Sequence, residues 1–324
     1  MGRRPPPRSP AAPAGPAVLH RHAGKAPSRS AACRHIGPVA GIAAPCLFLG
    51  LVATPLVARA DDETDTVEAE VILIVKVTGQ GGDAEVEVPL PRPDARQTVL
   101  SEEMRLRGFQ IEEIEQEGLR LARLRYPSLH GRKRFTWKGR VRLRRKTWHF
   151  EPPGPGWKAP EALHRWIIPT PHLQCRSPLV REQLIRGVEP ALARGERDLV
   201  QLIYRWVART FERRKAPEGT SSVLKALRTR KVDDRGLDRL FVTFLRAAGI
   251  PARTVGGLRV DAAEGKRFRR WTEVWLAGEW VPFSVPEGWY GAIPAGYLKL
   301  YHGDRRFIRR RNVARTSFKI LVRP

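Results

Sequence analysis

Cys175 and His172 stand three residues apart in HLQCRSPLV, and a thiol beside an imidazole is either a prospective thiolate nucleophile or half of a tetrahedral zinc site. A zinc site needs a second pair of donors. The other two cysteines, Cys33 and Cys46, fall in an N-terminal stretch with the character of an export signal, and His130, His149, His164 and His302 are scattered along the chain. Cys175 is therefore expected to be a lone, half-buried thiol with no disulfide partner, and no metal or cofactor is expected. A second chemistry is carried by arginine. Basic residues interleaved with aromatics crowd residues 132–148, 266–271 and 305–311, a combination that suits phosphates, carboxylates and planar groups.

The whole chain has 59 Lys and Arg against 33 Asp and Glu, a formal charge of +26. Residues 1–60 hold eight of the basic residues and no acidic one, so the remainder still carries +18. Such a balance speaks of partners and not of fold. Residues 1–35 are rich in Pro, Ala, Arg and Ser, too polar to order themselves, and read as a disordered or mis-assigned extension with the true start downstream of Met1. Residues 36–57 are apolar but broken by three prolines, and Ala58-Arg59-Ala60 precedes Asp61-Asp62-Glu63. This is the pattern of a signal peptide over 36–60 and of export to the periplasm or beyond, with an uncleaved inner-membrane anchor as the alternative.

Behind the signal, residues 66–92 alternate Val and Ile with Glu, Lys and Thr around Gly-Gly-Asp, the pattern of a half-buried antiparallel hairpin. The alternation resumes over 119–125 and 139–150, so a β-sandwich-like domain is expected over 66–150. A Pro/Gly cluster opens a linker over 151–172. Apolar residues then recur at helical spacing over 177–194 and 196–213. Ser221 or Ser222 can cap a short helix, and Asp233 or Asp234 a longer one ending at Gly249 before Pro251. Strands are expected over 253–260, 270–276 and 279–283. The class is α+β, with the second domain at 173–324.

LFVTFLRAAGIPARTVGGLRV followed by WTEVWLAGEWVPF resembles the core of the transglutaminase-like superfamily, over residues 173–291. The resemblance implies a papain-like α+β domain and a Cys-His-Asp triad: a cysteine opening the helix, a histidine two residues before the Trp-x-Glu-Val strand, and an aspartate after Trp-Val-Pro-x. Those positions hold Asp234, Arg269 and Ser284. A carboxylate cannot act as a thiolate, nor a guanidinium as a general base. The expectation is a member without the family's chemistry, in which Asp234 caps the helix or pairs with Arg269, and in which Asp234, Arg269, Arg270, Trp271, Glu273 and Trp289 line a binding cleft.

The partners expected are a peptide, an acidic protein or an anionic cell-envelope polymer, with membrane association through an uncleaved N-terminal segment. Nucleic acid is disfavoured, because export removes the protein from it and no reader motif is present. Two rivals differ in kind. One is a hydrolase or amidase using Asp234 and Glu273 as an acid and base pair in the same cleft. The other is a basic polymer-binding protein for which the fold is only a platform.

Overall fold

The computed structural model describes residues 65–106, 108, 110–148, 160–214, 222–262 and 268–323. The expected extension and signal segment, and most of the expected linker, lie outside them. Six strands come first: β1 (Thr66–Gln80), β2 (Ala84–Leu90), β3 (Gln97–Leu106), β4 (Gln110–Gln116), β5 (Leu119–Tyr126) and β6 (His130–Arg144). A short β7 (Lys146–Thr147) follows. The second half contains α1 (Pro178–Gln183), α2 (Glu196–Thr210), β8 (Glu212–Arg213), α3 (Val223–Thr229), β9 (Lys231–Val232) and α4 (Asp234–Ala247). Beyond α4 run β10 (Ala252–Arg259), β11 (Phe268–Leu276), β12 (Glu279–Ser284), β13 (Trp289–Tyr290), β14 (Ala292–Ile293), β15 (Tyr297–His302), β16 (Arg309–Arg311) and β17 (Arg315–Arg323). No described helix is long and apolar enough to cross a membrane.

The first half is a pair of four-stranded antiparallel sheets, β17-β1-β6-β3 and β16-β2-β5-β4, closed over one core. Alternation in β1 sends Val71, Leu73, Val75 and Val77 inward against Leu121, Leu124, Phe135 and Trp137. The expected hairpin over 66–92 is corrected here. Both strands form, but β1 pairs with β6 and β17 while β2 pairs with β5 and β16, so the turn between them is an arch from one sheet to the other. Gly81 and Gly82 take φ of +112° and +83°, and the arch is tied to Leu129 by hydrogen bonds of 2.8 and 3.0 Å.

The domain boundary differs too. Residues 309–323, read as part of the second domain, return to the sandwich: β17 runs antiparallel to β1, with Val75 opposite Phe318. The core of the sandwich also takes in Leu258 of β10, Val260 just beyond it, and Leu298 and Leu300 of β15, so the halves share apolar packing. Within the expected linker, Glu161–Trp166 forms a helical turn whose Trp166 is buried against Trp280 and His302. The basic run over 132–148 is partly answered across the sheet. Arg142 and Arg140 reach Glu68 at 2.7 and 2.9 Å, and Lys138 reaches Glu70 at 2.7 Å. Exposed pairs of this kind are worth about 0–1 kcal/mol each, so they align strands more than they stabilise them.

In the second half, α4 packs on the five-stranded sheet β13-β12-β11-β10-β15. Leu240, Phe241, Phe244 and Leu245 meet Val274, Val281 and Phe283 in a core shared with α2 and α3. Every residue from Gly236 to Arg246 is buried, so α4 is enclosed on its polar side as well. The segment read as one helix over 177–194 is shorter. After α1 the backbone widens into a single wide turn over Leu184–Val188 and stops at Glu189, whose φ is +56°.

Candidate functional site

The head of α4 is capped by Asp233, whose Oδ1 accepts from Gly236 N at 2.8 Å. Asp234 is therefore the first residue of the helix and not its cap, one position from the expected role. Freed from capping, its carboxylate takes both donors of a fork on Arg213: Nη2 lies 2.6 Å from Oδ2, and Nε meets Oδ1. Arg213 also donates to the Pro286 carbonyl at 3.4 Å. Arg269 is bound elsewhere, its Nε 3.2 Å from Glu287. The expected Asp234–Arg269 pair is thus replaced by two pairs with other partners.

Ser284 completes the arrangement, its Oγ accepting from Glu287 N at 3.4 Å. The three positions that the resemblance equates with the triad consequently surround one loop, residues 284–287, and are joined through Arg213 and Glu287. Each side chain is engaged by a neighbour.

Alternation along β11 divides the other expected residues. Val274 faces α4, so Thr272 and Arg270 share that side, while Arg269, Trp271 and Glu273 face away. Arg270 lines a small pocket at the head of α4 with Arg235, Asp238, Arg239, Tyr301 and Arg305. Burial pushes the Asp238 carboxyl well above the ordinary carboxylate range, with Asp234 adding to the effect and Arg270 opposing it. Among the described residues its Oδ1 has no hydrogen-bond partner, and neither has the buried Tyr301 hydroxyl. Arg239 reaches Asp304 at 3.6 Å, and Arg305 reaches Glu87 at 3.4 Å. Arg235 and Arg270 have no carboxylate within ion-pairing distance among the described residues. Burial, with repulsion from Arg270 and Arg239, pushes Arg235 down to about 10.

On the opposite face the picture is different. Trp271 is 1% exposed and packs edge-on to Tyr297 at 6.1 Å, while Gly257 leaves no room for a side chain beside its ring. It is core, and the expectation that it lines a cleft is corrected. Trp289 is half-buried against Tyr297 at 4.2 Å. Glu273 is enclosed between Arg253, whose Nη2 is 2.6 Å away, and Lys299, whose Nζ is 2.6 and 2.8 Å from its two oxygens. Burial opposes its ionisation, yet Lys299 and Arg253 outweigh burial and hold it down at about 2. A carboxylate so held, on the far face of the sheet from Asp234, cannot work with it as an acid and base pair.

Cys175 is buried, its Sγ 3.7 Å from the Ile167 carbonyl. Burial raises its thiol above the ordinary value despite Arg246 nearby, which disfavours the thiolate. Arg246 itself is spent on the carbonyls of Ala252 and Ile168, at 2.9 and 2.8 Å. Among the described residues no cluster of His, Cys, Asp or Glu has the grouping of a metal site.

Sequence reasoning missed Asp238, Arg235 and Tyr301. The available signal was Asp238 itself, a carboxylate one helical turn after Asp234 and set among Leu237, Leu240 and Phe241.

The fold is shared with a candidate cysteine protease from Cytophaga hutchinsonii, at a TM-score of 0.61 and 14% identity over 79% of this chain and 91% of that one. The periplasmic domain of TgpA from Pseudomonas aeruginosa is a more distant neighbour, with a TM-score of 0.35 and 15% identity over 65% of this chain and 72% of that one. No curated protein matches the chain. Residues 182–285 match the family model of the transglutaminase-like superfamily, so the enclosed helix and the sheet behind it are a transglutaminase-like domain.

Proposed function

We propose that this domain is a non-catalytic binding member of its superfamily, working in the cell envelope, which holds an anionic group of a peptide, acidic protein or envelope polymer at the arginine-lined head of α4. The observation that carries the reading is the state of the three triad positions. Asp234, Arg269 and Ser284 lack the chemistry of a thiol, an imidazole and an orienting carboxylate, and each is already engaged by Arg213 or Glu287. Beside them, Arg235 and Arg270 line a pocket with Asp238, whose buried carboxyl is pushed well above the ordinary carboxylate range. Export, and with it an envelope location, rests on the N-terminal sequence.

Thermal-shift titration of the chain with acidic peptides, peptidoglycan fragments and anionic polymers tests the reading, alongside Arg235→Ala and Arg270→Ala. Stabilisation that both variants abolish, without hydrolysis or crosslinking of the ligand, is the expected result. Turnover that Asp234→Asn removes would overturn it in favour of an enzyme. Stabilisation that ignores both variants and disappears in salt would assign binding to the basic faces instead.

A further inference from the structure

The outer side of the sheet β17-β1-β6-β3 holds a separate concentration of positive charge. Its inward side chains build the sandwich core, so the alternate positions of each strand face out. Register sets them in rows. Thr78 lies between Arg315 and Arg132, Lys76 between Ser317 and Arg134, and Ile74 between Lys319 and Thr136. With strands about 4.8 Å apart and alternate residues about 6.8 Å apart, Lys76, Arg132, Arg134, Arg315 and Lys319 stand within a backbone area of about 10 by 14 Å. All five are exposed, and among the described residues none has a carboxylate within ion-pairing distance.

The carboxylates of this side do not restore the balance. Glu68 is shared by Arg140 and Arg142, Glu70 is shared by Lys138 and Arg323, and Glu103 is held by Arg105. Asp83, in the arch beyond Thr78, forms no ion pair with the five cations, which outnumber it even when it is counted.

Three features select the partner. The side is an open sheet face, without walls that would hold a single polymer strand. No Trp, Tyr or Phe stands outward on these four strands, since Phe318 opposes Val75 and packs inward on Phe268 and Phe307, so neither sugar rings nor bases find a stacking surface. Ile72 and Leu321, directly opposite each other and half-buried, form an aliphatic patch beside the cations. A soluble polyanion gains nothing from that patch. A bilayer interface offers a plane of phosphates with apolar matter beneath it.

We propose that this side of the sandwich docks on an anionic lipid bilayer, its Lys and Arg heads among the lipid phosphates and Ile72 and Leu321 against the margin of the apolar layer. The surface is distinct from the α4 head and does not rest on the reading given there.

Cosedimentation of the full chain with vesicles of about three parts phosphatidylcholine to one of phosphatidylglycerol tests this, against phosphatidylcholine alone and soluble polyphosphate. Binding to the anionic vesicles is expected, and it should weaken as salt rises. Each basic residue at such a surface is worth about fivefold in affinity, so Lys76→Glu with Arg134→Glu should weaken binding by at least about tenfold, and Arg132→Gln with Arg315→Gln about as much. Both pairs sit at exposed positions, and the uncharged pair decides the matter if the reversed pair misfolds. Leu321→Gln alters no charge and should weaken vesicle binding about threefold, with no effect on polyphosphate. Arg235→Ala and Arg270→Ala should leave vesicle binding unchanged, so this outcome is separate from the one at the helix head. Equal binding with and without phosphatidylglycerol, or binding that neither pair weakens, overturns the proposal. So does polyphosphate binding as tight as vesicle binding with Leu321→Gln neutral to both, since that makes the face a polymer site.

Discussion

Asp238 and Glu273 are both enclosed in the transglutaminase-like domain, on opposite sides of one sheet, and they meet the cost of burial in opposite ways. Asp238 has four arginines around its pocket and an oxygen with no hydrogen-bond partner among the described residues, and its carboxyl is pushed toward the neutral form. Glu273 has two cations in direct contact with its oxygens, and it stays charged. Proximity of positive charge is common to both. What differs is contact: donors that touch the oxygens repay desolvation, whereas arginines held at a distance by their own partners or by space do not. The difference separates a carboxylate whose charge is met by contact from a carboxyl whose charge is not.

The comparison can be broken most forcefully at Glu273. Glu273→Gln leaves Arg253 and Lys299 buried without their counter-ion and should cost about 3–5 kcal/mol in urea denaturation, with Lys299→Met in the same chain recovering part of it. A loss below about 1 kcal/mol would mean that the cluster is more solvated than its geometry implies.

Acid titration of stability comes next. The folded value of Glu273, about 2, is below its ordinary 4.5, so its contribution is complete above pH 4.5 and lost as pH falls through about 2. That limb should amount to about 3 kcal/mol and be flattened in Glu273→Gln. Asp238 has the opposite sign. Its folded value is above the ordinary 3.8, so its contribution is complete below pH 3.8 and declines as pH rises. Asp238→Asn should flatten that decline and leave the acid limb alone.

Smaller effects separate neighbours in sequence. Asp233→Ala removes a helix cap and should cost about 1 kcal/mol in the same denaturation assay, whereas Asp234→Ala removes a half-exposed ion pair and should cost about half that or less. The reverse order would return the cap to Asp234. Smallest of all, Asp238→Asn near pH 4 replaces one neutral polar group by another and should shift stability by less than about 1 kcal/mol.

Legibility in the sequence followed the range of the interactions. The helix ending at Arg-Ala-Ala-Gly-Ile-Pro and the strands Trp-Thr-Glu-Val and Trp-Val-Pro-Phe carry their signals within a few residues, and they fold as expected. The arch at Gly81 and Gly82 did not yield to the same reasoning, because alternating strands joined by Gly-Gly-Asp look alike whether they pair with each other or enter two sheets. The return of β17 to β1 depends on residues some 240 positions apart, as Thr78 opposite Arg315 shows. At the site, the identities at 234, 269 and 284 were readable. Their partners Arg213 and Glu287 were not, since nothing local marks a surface arginine as the one that folds back onto a helix head.

The pairing of β17 with β1 has a consequence for how the protein assembles. β1 is the first described strand to leave the ribosome, yet one side of it has no neighbour until residues 315–323 have been made. The sandwich is begun early and finished last, with the whole transglutaminase-like domain inserted between the two events. Contacts of such long sequence separation are slow to form, and an open strand edge is a place where chains stick to one another. The vulnerable interval of this protein is therefore the time between β1 and β17, and anything that shields that edge during synthesis protects the sandwich.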